Sequence, residues 1–338
     1  MAHNTSNLAD NSIDISIVVV SFNTRDLTRR CLEHVHTHAA AVSHEVLVVD
    51  NASDDGSPDM VAAEFPWVKL IRLDENRGFA GGNNPAMKIA RGRYILLLNS
   101  DAFLAGGVLE KTIRYLDDHP TIGVLGCKLT DPDGTMQPSA RMLPGPLNKI
   151  LHITGLAARF PGSKFFGRVD YTWWDHAEPR SVGWVVGAFF LIRRETMDNI
   201  GVLDERYFLY FEEIDYCLTA QRAGWEVVFY PHAEIVHIGG QSTVKVPGKI
   251  SAKGRQMISI RLTSEFRYYR KMYGWLRLLF IVIIEAGWNA AVFIKNFLSR
   301  SSEAACKMDE AGTMIQLIRR TLREDRWGSG QADKGGNA

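Results

Sequence analysis

The feature that most constrains this chain is a series of apolar, β-branched runs, each followed by a helix-period pattern. The first, at 15–21, reads ISIVVVS. A run without polar alternation predicts a strand buried on both faces, as in a parallel sheet. Residues 24–41 then put Leu27, Cys31, Leu32 and Val35 on one helical face. The alternation continues with strand 45–49, helix 58–65, strand 68–73, helix 81–90, strand 94–98, helix 108–118 and strand 121–129. Strand character returns at 182–192, followed by helix 213–223 and strand 227–230. This order predicts βαβ units and an α/β fold, a mainly parallel sheet flanked by helices. Ligands of such sheets bind beyond the carboxyl ends of the strands. Asp50 and Asp101 both follow strands directly, so they fall where that rule puts a site.

A chain of 338 residues holds one large α/β domain with an appendage, or two modest domains. A formal net charge of +1 gives no reason to expect a nucleic-acid partner. Cys31, Cys127, Cys217 and Cys306 form no CxxC pair, which argues against a zinc site or disulfide framework and for core fillers in a reducing compartment. Residues 1–12 are polar and read as a disordered leader, which predicts a cytoplasmic protein. The catalytic-type α/β domain is expected over 13–248, with 132–180, rich in Pro, Gly and aromatics, as an insertion over the site. A helical extension follows at 249–325 and a disordered tail at 326–338. Within the extension, 276–297 is strongly apolar but carries Arg277, Glu285 and Lys295, and its uncharged run reads as short for a membrane span. An interfacial amphipathic helix pair fits, and a buried hairpin or dimer contact is the alternative.

Several segments carry chemistry. Asp50, in VVDNASDDG, offers a carboxylate to a ring N–H such as N3 of uracil or thymine, or else caps its own turn with Asn51, Ser53 and Asp54. NRGFAGGNN (76–84) lets backbone approach a ligand ahead of a helix N-terminus, or is a plain glycine loop; it is neither GxGxxG nor a P-loop. Asp101, after Asn99 and Ser100, suits a divalent cation that bridges phosphates, or a helix N-cap. Glu212, Glu213 and Asp215 crowd together, so at least one should have a raised pKa and serve as a general base; a solvated helix N-terminus is the alternative. His237 offers an imidazole to Mg2+ or Mn2+, or is an ordinary surface or core histidine, as His232 is.

In order, VVVSFN, VVDNASDDG, NRGFAGGNN, LLLNSDA, GAFFLIRRE, YFEEIDYC and HIGG resemble the family 2 glycosyltransferases, with a GT-A fold, over about residues 15–242. The bacterial rhamnosyltransferase-like branch, which builds cell-envelope polysaccharides, is the most similar. The resemblance implies that Ser21 and Asn23 line the nucleotide pocket, that Asp50 holds the base with Asn51 and Asp54 nearby, and that Asn76, Gly78 and Asn83 approach the nucleotide-sugar. Asn99, Ser100 and Asp101 match the family's DxD element with Asn at its first position, leaving Asp101 as the principal metal ligand and His237 as the later one. Glu213 matches the catalytic base, with Glu212 as the competing assignment. Trp173, Trp174, Trp184 and Phe189 offer a stacking platform for a donor or acceptor sugar, or else are core aromatics, and Gly187 is expected on the acceptor side. The implied reaction is inverting, with a dTDP- or UDP-sugar donor (dTDP-rhamnose by family analogy) and a glycan or lipid-linked acceptor. The implied place is the inner face of the cytoplasmic membrane, with a homodimer as one use of the C-terminal helices. The processive members' QxxRW element is missing, since 221–225 reads QRAGW, which favours single addition. The competing readings are a sugar-1-phosphate nucleotidyltransferase, whose basic phosphate loop the Ser21–Thr24 stretch does not supply, and a non-catalytic nucleotide-sugar or glycan-binding module.

Overall fold

The computed structural model describes residues 13–239, 252–297, 299 and 301–324. The leader at 1–12, the second glycine of HIGG, the stretch to residue 251 and the tail at 326–338 lie outside the described residues.

The chain begins with β1 (Ile15–Ser21), α1 (Arg25–His38), β2 (His44–Asp50), α2 (Ser57–Glu64), β3 (Lys69–Arg72), α3 (Gly78–Ile89) and β4 (Tyr94–Asn99). A short β5 (Ala102–Phe103) leads to α4 (Val108–Asp118) and β6 (Ile122–Thr130). The insertion then forms β7 (Met136–Gln137), β8 (Ala140–Arg141), α5 (Pro146–Ile153) and α6 (Leu156–Arg159). Next come β9 (Arg180–Ser181), β10 (Trp184–Val185), β11 (Phe189–Arg193), α7 (Arg194–Ile200), α8 (Glu212–Arg222) and β12 (Glu226–His237). Three helices complete the described chain: α9 (Ala252–Tyr273), α10 (Trp275–Phe297) and α11 (Ser302–Glu324).

The main sheet has the order β3-β2-β1-β4-β11-β6-β12-β5, with β7 on β6 and β9 on β12. It is mixed. The expected parallel pairing holds for β3-β2-β1-β4 and for β6 with β12, but β11 enters antiparallel to both β4 and β6. The strand expected at 182–192 is two strands, because residues 186–188 leave β10 and let β11 start afresh; β10 pairs with β8 in a separate small sheet.

Side chains alternate across each strand, so successive residues feed opposite layers. Ile17, Val19, Val48, Leu96 and Leu98 pack with Leu32 and Val35 of α1, Met60 of α2 and Leu116 of α4. Val18, Leu47, Val49, Ile95 and Leu97 pack on the other face with Met87 of α3, Ile214 and Cys217 of α8, and Phe266 and Tyr269 of α9. Continuous apolar runs are required because both faces are covered. Cys31, Cys127 and Cys217 are core fillers as expected, whereas Cys306 on α11 is only half-buried.

The C-terminal region is three helices rather than a pair. Lys149 of α5 ties it to the insertion, with Nζ 2.9 Å from Glu265 of α9 and 2.5 Å from Glu285 of α10, all three side chains buried. Helix α10 is longer as an apolar unit than the charge pattern suggested: its 23 residues contain an 18-residue window of mean hydropathy 1.8, which suffices by length and composition to cross a membrane. Leu278, Ile281 and Glu285 face inward, while Leu276, Phe280, Ile283, Ile294 and Phe297 form an exposed apolar stripe.

Candidate active site

Strand register builds one edge of the site. Ser21 lies opposite Asp50, and Val20 opposite Asn99, so three strand ends stop at one level. Beneath them is a hydroxyl cluster, with Thr28 Oγ1 3.1 Å from Ser21 Oγ and Thr24 Oγ1 3.1 Å from Ser100 Oγ. Asn23 takes a left-handed conformation (φ 52°) that joins two loops: its Oδ1 accepts the Asp54 N–H at 2.9 Å and its own N–H donates to Ser53 Oγ at 3.0 Å. Asp50 caps its own turn and keeps one oxygen free. Oδ2 accepts the Ser53 N–H at 3.0 Å, capping the turn, while Oδ1 is buried without a hydrogen-bond partner among the described residues. A shielded, unpaired acceptor costs about 1–3 kcal/mol unless a donor arrives, and a pyrimidine N–H is such a donor.

The NRGFAGGNN segment is rebuilt by the structure. Most of it is the first turns of α3, not a ligand loop. Asn51 donates to Asn76 Oδ1 at 2.9 Å and to the Gly78 carbonyl at 3.0 Å, and accepts the Arg77 N–H at 2.9 Å. Asn51 and Asn76 therefore latch the loop itself. Gly78 has φ 70°, and a Cβ there would overlap the Phe208 carbonyl, which accepts the Phe79 N–H at 2.8 Å. Its close approach is thus to the chain's own backbone rather than to a nucleotide. Asn83 is buried and donates to the Phe79 carbonyl at 2.9 Å, an intrahelical role. Gly187 belongs with this segment too: it is buried, and a Cβ there would lie 3.3 Å from the Phe79 ring, and it does not line the cavity described below.

Asp101 and His237, expected as metal ligands, are brought together by pairing of β5 with β12, in which Ala102 lies opposite His237. The Ile238 N–H donates to the Asp101 carbonyl at 3.0 Å. Asp101 Oδ1 then lies 3.3 Å from His237 Nε2, while His237 Nδ1 is 2.7 Å from Gln137 Oε1. Two ligands in neighbouring positions of one octahedral ion, each about 2.1 Å from it, are about 3 Å apart. The pair therefore fits a divalent cation. No further His, Cys, Asp or Glu joins them to make a set of three among the described residues, so a bound ion would have to complete its coordination with phosphate oxygens and water. Gln137 was not expected as a site residue. The DPDG turn at 131–134, closed by Gly134 N–H on the Asp131 carbonyl at 2.9 Å, was the available signal that 135–137 folds back on β6.

The acidic cluster opens α8, and the structure separates its members. Tyr210 (φ 68°) and Phe211 (φ 72°) are consecutive left-handed residues, each strained by about 1–2 kcal/mol, and they set the angle at which the helix starts. Glu212 points into the protein. Burial, then repulsion by Glu213, holds its carboxyl well above the usual range. Asp215 is buried with Tyr207, whose hydroxyl donates at 2.9 Å, and with Lys271 Nζ at 2.7 Å; the same ammonium reaches Asp204 at 2.7 Å. That commits both oxygens of Asp215 to Tyr207 and Lys271 and makes it an anchor for α9. Glu213 alone faces a cavity of about 250 Å³, lined also by Arg141, Trp184, Tyr210, Arg261 and Tyr269. Burial pushes its carboxyl up to about 7 against the opposing pull of its own helix N–H and of Arg141, and Oε2 has no partner among the described residues.

Of the aromatic residues expected to stack on sugar, Trp184 lines this cavity, with Nε1 donating to the Met142 carbonyl at 3.1 Å and Arg141 over its ring at 5.4 Å. Phe189 is buried in the sheet, Trp174 packs edge-on to Phe229, and Trp173 lies under Arg180. Those three serve packing.

A covered mixed sheet with an unpaired buried acid, an Asp–His pair and a perturbed carboxylate on its carboxyl side is the architecture of a GT-A transferase. Residues 16–218 match the sequence profile described as glycosyl transferase family 2, and the chain belongs to that family. It is 30% identical over 213 residues to the N-acetylglucosaminyl-diphospho-decaprenol L-rhamnosyltransferase of Mycobacterium tuberculosis, covering 60% of this chain and 69% of that one. It is 27% identical over 227 residues to the O-antigen biosynthesis protein RfbC of Myxococcus xanthus, covering 66% of this chain but only 17% of that protein. A mannosyltransferase of Pyrobaculum calidifontis, solved with GDP-Man and Mn2+, shares the fold with a TM-score of 0.55 at 17% identity, over 94% of this chain and 88% of that one. The nucleotidyltransferase and binding-module readings are set aside: the chain is a glycosyltransferase.

Proposed function

We propose that the chain transfers one sugar, with inversion, from a nucleotide-sugar to a hydroxyl of a lipid-linked glycan in cell-envelope polysaccharide synthesis. The observation that carries this is Glu213: a carboxylate raised to about 7, with an unpaired oxygen, on the wall of a cavity that also holds Trp184. Such a group takes the proton of an acceptor hydroxyl near neutral pH. The acceptor oxygen attacks the anomeric carbon as the bond to the nucleoside diphosphate breaks, in a single displacement that needs no covalent nucleophile. Asp101 and His237 would hold Mg2+ or Mn2+, which when bound supplies positive charge to the diphosphate leaving group. Asp50 Oδ1 would accept the N3–H of thymine or uracil. Rhamnose and a diphospho-lipid acceptor are favoured by the activity named for the mycobacterial relative, and a dTDP-linked donor by the family resemblance.

The apolar stripe of α10 supports a site on the inner face of the cytoplasmic membrane, with the lipid tail of the acceptor beside it. Pairing of two subunits through α10 is the second reading of that stripe. The experiment is a donor screen that follows nucleotide release with UDP-, dTDP- and GDP-sugars, with and without Mn2+ and a short-chain lipid-diphosphate acceptor. Metal-dependent turnover with a dTDP-sugar is expected. Turnover with GDP-sugars only, or undiminished by a chelator, would refute the donor or the metal assignment respectively. Liposome flotation of the Phe280→Glu, Ile283→Glu double variant tests the membrane assignment: flotation equal to that of the unaltered chain would remove it.

A further inference from the structure

Gln137 contacts no reacting group, yet its hydrogen bonds are fully determined. Its Nε2 lies 2.7 Å from Asp131 Oδ1 and 2.8 Å from the His237 carbonyl oxygen. Both partners only accept hydrogen bonds, so the amide nitrogen must face them and the amide orientation is fixed. Oε1 is left facing His237 Nδ1 at 2.7 Å, and since Oε1 only accepts, Nδ1 must carry a proton. In a neutral imidazole the bare lone pair is then on Nε2, the atom that lies 3.3 Å from Asp101 Oδ1. One face of the histidine is thus committed to the β6–β7 hairpin, and the other is prepared as an electron-pair donor beside a carboxylate.

We infer that Gln137, locked by Asp131, is a positioning residue that holds His237 in the tautomer able to bind the divalent cation. This rests on the metal assignment made above. A partner that fixes the tautomer and ring orientation of a ligating histidine contributes about 10–100-fold in metal affinity. The relay runs from Asp131 in the turn after β6, through Gln137 on β7, to His237 at the end of β12, and so couples the inserted hairpin to the metal pair.

The test uses the full chain and two readouts. Nitrogen-15 NMR of histidine side chains, at about pH 8 where an ordinary imidazole is neutral, reports the tautomer, with His237→Gln identifying the resonance. Mn2+ binding in the presence of dTDP or UDP is measured from the paramagnetic resonance of the free ion. The unaltered chain should show a protonated Nδ1 and a bare Nε2 at His237. Gln137→Leu should lose that preference and bind Mn2+ 10–100-fold more weakly, raising the Mn2+ concentration for half-maximal rate while kcat at saturating Mn2+ changes little. Gln137→Glu keeps an acceptor toward Nδ1 but sets its other oxygen against Asp131 and the His237 carbonyl, both acceptors, so it should restore the tautomer with only part of the affinity. A proton on Nε2 of the unaltered chain, or Mn2+ affinity unchanged in Gln137→Leu, would overturn the inference while leaving the transferase reading intact. No Mn2+ uptake by the unaltered chain would instead remove the metal assignment and this relay with it.

Discussion

The two sides of this site are built by different means. On the proposed donor side, Ser21, Asp50 and Asn99 end adjacent strands at one level, and their loops are bound to one another by neutral hydrogen bonds such as Asn23 to Asp54 and Asn51 to Asn76. On the acceptor side, the cavity draws Arg141 from β8, Glu213 from α8 and Arg261 and Tyr269 from α9, so its walls come from residues far apart in the chain. It is held by the buried ion pairs of Lys149 with Glu265 and Glu285 and by exposed Lys271 on buried Asp215, and opens on two strained residues. The donor side is therefore a property of the sheet, while the acceptor side is a property of how the insertion and the C-terminal helices dock. Changes on the first should alter one binding step. Changes on the second should alter chemistry or stability.

The largest effect expected is at Glu213. Glu213→Gln removes the proton acceptor and should lower kcat about 10²–10⁴-fold, with the melting temperature retained or raised. The pH dependence follows in sign. Activity needs the ionised form, so kcat/KM should rise with pH through about 7 and fall about tenfold per unit below it. Stability runs the other way. Between 4.5 and about 7 the folded chain holds a proton at Glu213 that the unfolded chain has released, so stability falls as pH rises through that window, and the Gln variant should lose that slope. A Gln variant with near-normal kcat would return the base to Glu212 or to no carboxylate.

This contrast also explains what could be read from the sequence. The βαβ order, the strand-end acids and the roles open to Asp50 depend on local pattern, because a strand buried on both faces must be apolar throughout and its last residue must meet solvent or ligand. Glu213 and His237 were legible as residue types, but their neighbours were not. Gly78, Gly187 and Asn83 show why such signals are ambiguous: a glycine or amide suits close approach of any group, and here those groups are the Phe208 backbone, the Phe79 ring and the Phe79 carbonyl within α3. Asp215 was grouped with its neighbours by spacing, and only the docking of α9 shows that it belongs to Lys271. Antiparallel entry of β11 is likewise a long-range choice that no local period records.

Next in size is the charge cluster that docks the C-terminal helices. Lys149→Met leaves two buried carboxylates, Glu265 and Glu285, without their cation, and should cost about 3–5 kcal/mol in denaturant unfolding. Arg261, 3.9 Å from Glu265, is too distant and exposed to replace it. Adding Glu285→Gln to Lys149→Met should restore part of the loss by removing one unpaired charge. If Lys149→Met unfolds like the unaltered chain, the helices are held by apolar packing alone, and the proposed dependence of the acceptor side on its ion pairs is wrong.

The smallest effect should come from Asp50, and it bears most directly on the difference between the two sides. Asp50→Asn preserves shape and, with its oxygen toward Ser53, keeps the turn bond made by Oδ2. The amide nitrogen then replaces Oδ1, setting a donor against the N3–H of the base and exchanging attraction for repulsion. Loss of one hydrogen bond to a charged acceptor is worth about 1.5–3 kcal/mol, so KM for the donor should rise by roughly 10–100-fold while kcat at saturating donor and KM for the acceptor stay nearly constant. That split is the signature of a site whose donor edge is independent of its acceptor cavity. A fall in kcat at saturating donor would mean that the two sides are coupled through the sheet, and that the base-reading acid also helps to place the anomeric carbon against Glu213.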